Sequence, residues 1–242
     1  MGAAANKPVV QLVATAALDA AARAELFEFC DRFSSRHRDR FEAQLAKDET
    51  VFLVRASITG HLVGFGTVTV HPVRHQGRAA TVIYTGWTMI SPEFRRHGII
   101  QRVGFAEFLR QRLKHPLRPI YWMMTSSTLN SYLVMARNFH DSYPRAGRGL
   151  SDQERAYVEQ VLQHNGTPWN PDTGVIERGG ASFYREGRVD LGAVDTRDPD
   201  IAFYVQANPG QAKGDSLVCL APLNLRNFVH IARRQLARGR RG

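Results

Sequence analysis

Residues Ser91 to Gly104 read SPEFRRHGIIQRVG, and how this stretch is read decides the fold. Before it, Ala79 to Ile90 (AATVIYTGWTMI) is dense in β-branched and aromatic residues, the composition of a strand. After Gly98, the residues Ile99, Val103, Ala106 and Leu109 recur at helical intervals, which predicts a helix over 98–114 with these as its inward face. Arg95, Arg96 and His97 stand between the two elements, followed by one glycine. The first amides of a helix have no partner within it, and the helix dipole favours negative charge there. A basic turn from strand to helix is therefore a place to hold an anion.

Toward the N-terminus, residues 8–15 predict a strand, and 17–30 and 33–47 predict two amphipathic helices. Phe27, Phe29, Phe33 and Phe41 read as core residues of these helices. VFLVRASI (51–58) and HLVGFGTVTV (61–70) predict a hairpin turning at Thr59-Gly60, and HPVRHQGR (71–78) a polar loop. Toward the C-terminus, PLRPIYWMMTSS (116–127) predicts a strand and TLNSYLVMARNF (128–139) a helix. Residues 51–139 thus run strand, strand, strand, helix, strand, helix. That order makes a mixed α/β unit rather than a doubly wound sheet. Ser151 and Glu154 form a capping-box pattern before a helix over 151–163. Residues 165–200, rich in Gly, Pro, Asn and Asp, yield no element, whereas 215–223 and 224–236 read as a last strand and a last helix. No linker interrupts the chain, so 1–242 reads as one domain.

The chain has 242 residues, 43% hydrophobic and 22% charged, the profile of a packed globular protein. Its net charge of +10 asks for an acidic partner or ligand. Part of the excess is the tail ARRQLARGRRG, with Arg233, Arg234, Arg238, Arg240 and Arg241 and no acid, which reads as a solvated helix end. No apolar run reaches the roughly 18 residues of a bilayer span, so no membrane partner is expected. The start MGAAANKPVV carries no secretion signal, and Asn6 stands where a myristoylation signal has Ser or Thr. Cys30 and Cys219 each lie among apolar residues and read as buried reduced thiols, consistent with a cytoplasmic location. No Cys and His pattern has zinc spacing, so no metal is expected.

The order of elements, with the turn Arg95-Arg96-His97-Gly98-Ile99-Ile100, resembles the GNAT superfamily of N-acyltransferases. The resemblance covers roughly residues 8–143, the donor-binding core, and is weaker over the extension 144–242. It implies an α/β fold, a mostly antiparallel central sheet splayed at the donor site and flanked by helices, with the extension completing the sheet and the acceptor side. It further implies acyl-coenzyme A as donor substrate, its pyrophosphate held by the backbone N–H groups of Arg95 to Ile100. The backbone of Trp87, Thr88, Met89 and Ile90 would run beside the pantetheine arm, and Asn130 matches an Asn that opens the later helix. The pattern ends in Gly or Ala where this chain has Ile100. That departure leaves open a long-chain donor or an acidic acyl carrier protein in place of a simple acetyl donor.

Direct transfer to an amine needs a base for the ammonium proton and an acid for the departing thiolate. The family places a tyrosine seven residues after the Asn, but here that position is Arg137. Tyr132, Tyr143 and the strand-end Ser126 and Ser127 remain as alternatives. For the base, His71 and His75 have a suitable ordinary pKa, since 79–90 contains no carboxylate; Glu93 reads as support for the turn. The acceptor is a primary amine on a small molecule or peptide. The competing reading is a non-catalytic protein of this fold that grips nucleic acid or an acidic protein. Nucleic acid is the less expected partner, because the basic tail has no interleaved aromatics.

Overall fold

The computed structural model describes residues 7–35, 37–180, 183–184 and 189–239. In chain order the first elements are β1 (Pro8–Ala14), α1 (Ala20–Phe33), β2 (Ser34–Ser35), α2 (Arg38–Leu45) and β3 (Thr50–Ala56). Next come β4 (Leu62–His75), β5 (Arg78–Ile90), α3 (Ile99–Lys114), β6 (Ile120–Ser126) and α4 (Leu129–Asn138). The remainder is α5 (Asp152–His164), β7 (Val175–Ile176), β8 (Phe183–Tyr184), α6 (Pro199–Ala207), β9 (Ser216–Pro222) and α7 (Leu225–Gly239).

One sheet runs in the order β1-β3-β4-β5-β6-β9-β7. Every pairing in it is antiparallel except β5 with β6. The fold is therefore the mixed α/β architecture that the sequence implies. Helices α3 and α4 cover one face, closing over Phe52, Val54, Ile83, Trp122 and Met124. On the opposite face α1 and α2 pack over Val51, Leu53 and Phe65, and α5 packs over Val82, Met123 and Val218. The alternation of a strand sends neighbouring residues such as Phe52 and Leu53 to these opposite faces. Cys30 and Cys219 are buried in separate clusters and share no disulfide.

Two expectations about local structure need correction. Residues 71–78 are not a polar loop but the tip of a long β4–β5 hairpin, paired through His75↔Arg78. Gln76 (φ 47°) and Gly77 (φ 78°) both take positive φ, the geometry of a two-residue turn that matches strand twist. His71 and Val73 point inward, while Pro72 and Arg74 point to solvent. That alternation was the strand signal hidden among polar residues. In α3, Ala106 and Leu109 face outward. Its inward face is Ile99, Val103, Gly104, Glu107, Phe108 and Gln111. The helix α6 falls largely beyond the stretch that yielded no element. Asp198 caps it, accepting from the amides of Asp200 and Ile201, with Pro199 at its first turn. The capping box of α5 is present as expected: Glu154 accepts from the Ser151 amide at 2.9 Å.

Candidate functional site

The pairing of β5 with β6 ends at Thr85↔Met124. Its cause lies one strand away. Between the pairs Gly66↔Thr88 and Val68↔Thr85 the register shifts, so Gly86 and Trp87 both oppose Thr67. Such a bulge bends its strand and strengthens the twist. Beyond it, β5 keeps pairing with β4 but leaves β6. Backbone groups of Gly86 to Ile90 that would have continued the ladder toward β6 face the gap instead.

A cavity of about 340 Å3 fills the gap, lined by β5, the end of β6 and the first turn of α4. That volume is within the range of small-ligand sites, roughly 300–1,000 Å3. Trp87, Thr88, Met89, Ile90, Arg95, Ile100 and Asn130 line it, as the sequence reading expects of a donor site. The turn before α3 is a short 3-10 segment, Pro92–His97, ending at Gly98 in the left-handed region (φ 64°). No side chain caps the first turn of α3. Arg95 donates from Nε to the carbonyl of Ile90 at 2.9 Å, which ties the turn to the strand end. Ile99 is buried beneath the helix, and His97 turns its Nδ1 to the Phe94 carbonyl, so neither side chain lines the cavity. The side chain of Arg96 lies outside the described residues.

None of the four expected catalytic side chains lines this cavity. Tyr132 is buried between α4 and α6, its ring 5.2 Å from that of Tyr204 and tilted against it, with its hydroxyl directed to the Pro144 carbonyl at 3.3 Å. Burial pushes its pKa up, which suits a packing residue. Tyr143 bridges to Leu220 by two backbone hydrogen bonds of 2.8 Å. Ser126 is buried against Cys219, whose thiol burial pushes up to about 12. His71 lies behind the wall, its ring 6.4 Å from that of Tyr84 and 5.0 Å from that of His164. Ser127, the other serine considered, does line the cavity, and its hydroxyl lies 2.6 Å from that of Ser216.

His71 has a consequence for stability instead. Burial, and then the nearby His164, pushes its pKa down to about 4. The folded value lies below the unfolded one, so the unfolded chain takes up the proton first as pH falls. The stability present above about pH 6.5 is lost through pH 4, by about 3 kcal/mol in all. The melting temperature of His71→Leu is expected to fall less than wild type between pH 7 and 4.5. Equal acid sensitivity of the two proteins would contradict this.

Two residues absent from the sequence candidates do converge on the site. Tyr84 lines the cavity from β5. Asp48, just before β3, sits directly behind the wall. A Cβ added to Gly86 would lie 2.4 Å from Thr67 Oγ1, 3.6 Å from Tyr84 Cε1 and 3.8 Å from Asp48 Oδ1. Gly86 is thus a thin place in the wall, with Tyr84 and the buried Asp48 carboxylate both close to it. Burial raises the Asp48 carboxyl to about 6, against the opposing effect of its polar neighbours Thr67, Thr69 and Gln44. Thr69 Oγ1 donates to Oδ1 at 3.4 Å, and Gln44 itself lines the cavity. No carboxylate is among the lining residues, which leaves Asp48 as the nearest negative group to Gly86. Among the described residues no cluster of His, Cys, Asp and Glu could hold a metal ion.

The acetyltransferase (GNAT) family model matches residues 17–114, which run from the first helix through the basic turn to the end of α3. This segment belongs to the GNAT acetyltransferase family. The chain is also similar in fold to several solved structures. One is an aminoglycoside N-acetyltransferase AAC(6')-Iy in complex with CoA, 11% identical, TM-score 0.36, with 70% of this chain and 93% of that chain covered. Another is the NatC complex bound to Gag peptide and CoA, 12% identical, TM-score 0.38, with 90% and 99% covered. A third is the Escherichia coli GNAT family N-acetyltransferase YhbS in complex with CoA, 9% identical, TM-score 0.36, with 52% and 67% covered. No curated protein sequence matches the chain.

Proposed function

We propose that this protein is an acyl-coenzyme A dependent N-acyltransferase that acts by direct attack of a primary amine on the thioester. The observation that carries the reading is the cavity where β5 parts from β6, with the uncapped start of α3 and Arg95 at its edge. The pyrophosphate rests on the backbone of Arg95 to Ile100, and the pantetheine arm runs along Trp87 to Ile90, bonding to the strand groups that β6 leaves unpaired. In this reading 8–143 holds the donor. The extension 144–242 supplies the acceptor side through Asn165, Thr167 and Arg178, which line the same cavity.

The acceptor nitrogen lies over Gly86. Asp48 takes its ammonium proton through a water molecule, because a carboxyl with a pKa near 6 is mostly ionised at pH 7 yet basic enough to accept. The neutral amine attacks the thioester carbon, and a β5 backbone amide stabilises the oxyanion. As the C–S bond breaks, the thiolate takes a proton from the Tyr84 hydroxyl, and the second proton shed by the acylated nitrogen restores that hydroxyl. The test is release of free coenzyme A thiol from acyl-coenzyme A in the presence of a panel of primary amines. Failure of coenzyme A to bind at all would overturn the reading.

The lining also bears on the acyl group. Trp87, Met89, Ile90, Ile100, Met124 and Val134 give it a broad apolar wall. Each methylene withdrawn from water there contributes about 0.8 kcal/mol. Trp122, by contrast, is not in the wall: it is buried under α3 with its Nε1 donating to Thr85 at 2.9 Å. Acyl groups longer than acetyl are expected to be used at least as well as acetyl. A donor series from acetyl to palmitoyl, with kcat/KM for each, checks this; a steady fall from acetyl onward would refute it.

A further inference from the structure

Six of the nine large apolar side chains exposed among the described residues lie on two neighbouring helices or just beyond the end of one. Phe105, Leu109 and Leu113 follow one another at intervals of four along the outer side of α3, and Leu117 stands just beyond its end. Leu225 and Val229 continue the surface on α7, which is joined to α3 through Phe228, 6.1 Å from Phe105 and 4.7 Å from Phe108. Leu113 is 82% exposed and Leu117 is 95% exposed. Nothing among the described residues covers them, and neither they nor their neighbours on the stripe line the donor cavity.

The charge around this ridge is mainly basic, although Arg110 pairs with Glu107 at 3.5 Å and Arg226 with Asp141 at 3.7 Å. On α3 stand Arg102, Arg110, Arg112 and Lys114, and the helix's sole acid, Glu107, is buried. On α7 the side chains of Arg226 and Arg233 are exposed, and the helix contains no acid. A second cavity, of about 270 Å3, opens beside α3. Arg110, Lys114, His115 and Arg118 line it, together with Glu49 and with Glu107, which accepts from Gln111 at 2.7 Å.

We propose that this ridge docks the protein on an anionic lipid surface. The leucines enter the headgroup boundary, and the surrounding bases meet lipid phosphates. A ridge of single protruding leucines flanked by bases is the form of a peripheral membrane contact, in which apolar insertion and attraction to acidic lipids act together. A second copy of the chain would set these bases against their own kind, which disfavours self-pairing. Among the described residues no helix is long and apolar enough to cross a membrane, and the proposal concerns a surface contact only.

The test is sedimentation of the full chain with two sets of vesicles, one of phosphatidylcholine alone and one with about one-third phosphatidylglycerol. Binding is expected to the mixed vesicles, weak or none to the neutral ones, and to weaken as salt is raised. Leu113→Asp and Leu117→Asp should each reduce affinity about tenfold, because a leucine returned to water forfeits roughly one such factor. Leu117 is so exposed that its variant should melt as wild type does, so a loss of binding there is not a loss of folding. No binding to anionic vesicles, or binding that the double variant retains, would overturn the proposal. So would a dimer that the same variants dissociate, since a second copy would then be the occupant.

Discussion

Asp48→Asn is expected to lower kcat/KM for amine acylation by about a hundredfold or more, the usual scale for loss of a positioned proton acceptor. The same variant should be more stable than wild type at neutral pH. The sign follows from the direction of the shift. Burial raises the folded pKa of Asp48 to about 6, above the ordinary carboxylate value of 3.8. The folded state therefore holds this proton more tightly than the unfolded chain does. Stability is greatest at acid pH and is lost as pH rises from about 4 through 6, so the ionised carboxylate costs about 3 kcal/mol at pH 7. Asparagine is neutral at every pH, and its amide oxygen can still accept from Thr69. Wild-type activity should rise with pH through a limb near 6, and the variant should lose that limb. Wild-type kcat/KM in Asp48→Asn would remove Asp48 from the mechanism. An inactive variant that melts lower than wild type at pH 7 would show structural damage instead.

This opposition of stability and activity at one residue is why the site was harder to read than the fold. The basic turn was legible because its signals are local: a β-branched run, two arginines, a glycine and a helical period within some 25 residues. The expected donor-side residues follow from it, and Trp87 to Ile90, Arg95, Ile100 and Asn130 do share one cavity. The proton-handling groups are set by tertiary contact. Asp48 precedes β3 in a stretch, AKDET, that reads as an ordinary polar turn. Only the packing of β4 and the bulge at Gly86 bring it to the cavity wall. Tyr84 is one aromatic among several in the strand 79–90, and nothing local distinguishes it. Tyr132 and Tyr143 are the nearby alternatives to the tyrosine that the family places at Arg137, but α6 packs over the first, and β9 pairs with the backbone of the second. One signal was available. Gly86 interrupts an otherwise bulky strand, and such a glycine marks a bulge or a close approach.

Gly98→Val is expected to weaken coenzyme A binding by an order of magnitude or more. Gly98 takes φ 64° as the last residue before α3. A β-branched residue is strained there by roughly 1–2 kcal/mol. Space within the chain is not the obstacle, because the nearest atom to an added Cβ is Gln101 Oε1, 3.8 Å away. The strain is relieved only if the backbone leaves the left-handed region, and that re-aims the first amides of α3 together with the Arg95 turn fixed to Ile90. An anion site built from backbone amides depends on their direction, so small rotations weaken it steeply. A side chain at this position would also occupy the close approach that the phosphates need. Gly98→Asn separates the two effects, since asparagine tolerates positive φ at little strain but still adds a Cβ. If backbone conformation dominates, titration calorimetry should find Gly98→Asn within a few-fold of wild type and Gly98→Val at least tenfold weaker. If the close approach dominates, both variants should weaken alike. An unchanged coenzyme A affinity in a Gly98→Val protein that melts cooperatively would mean that the phosphates do not rest on this turn.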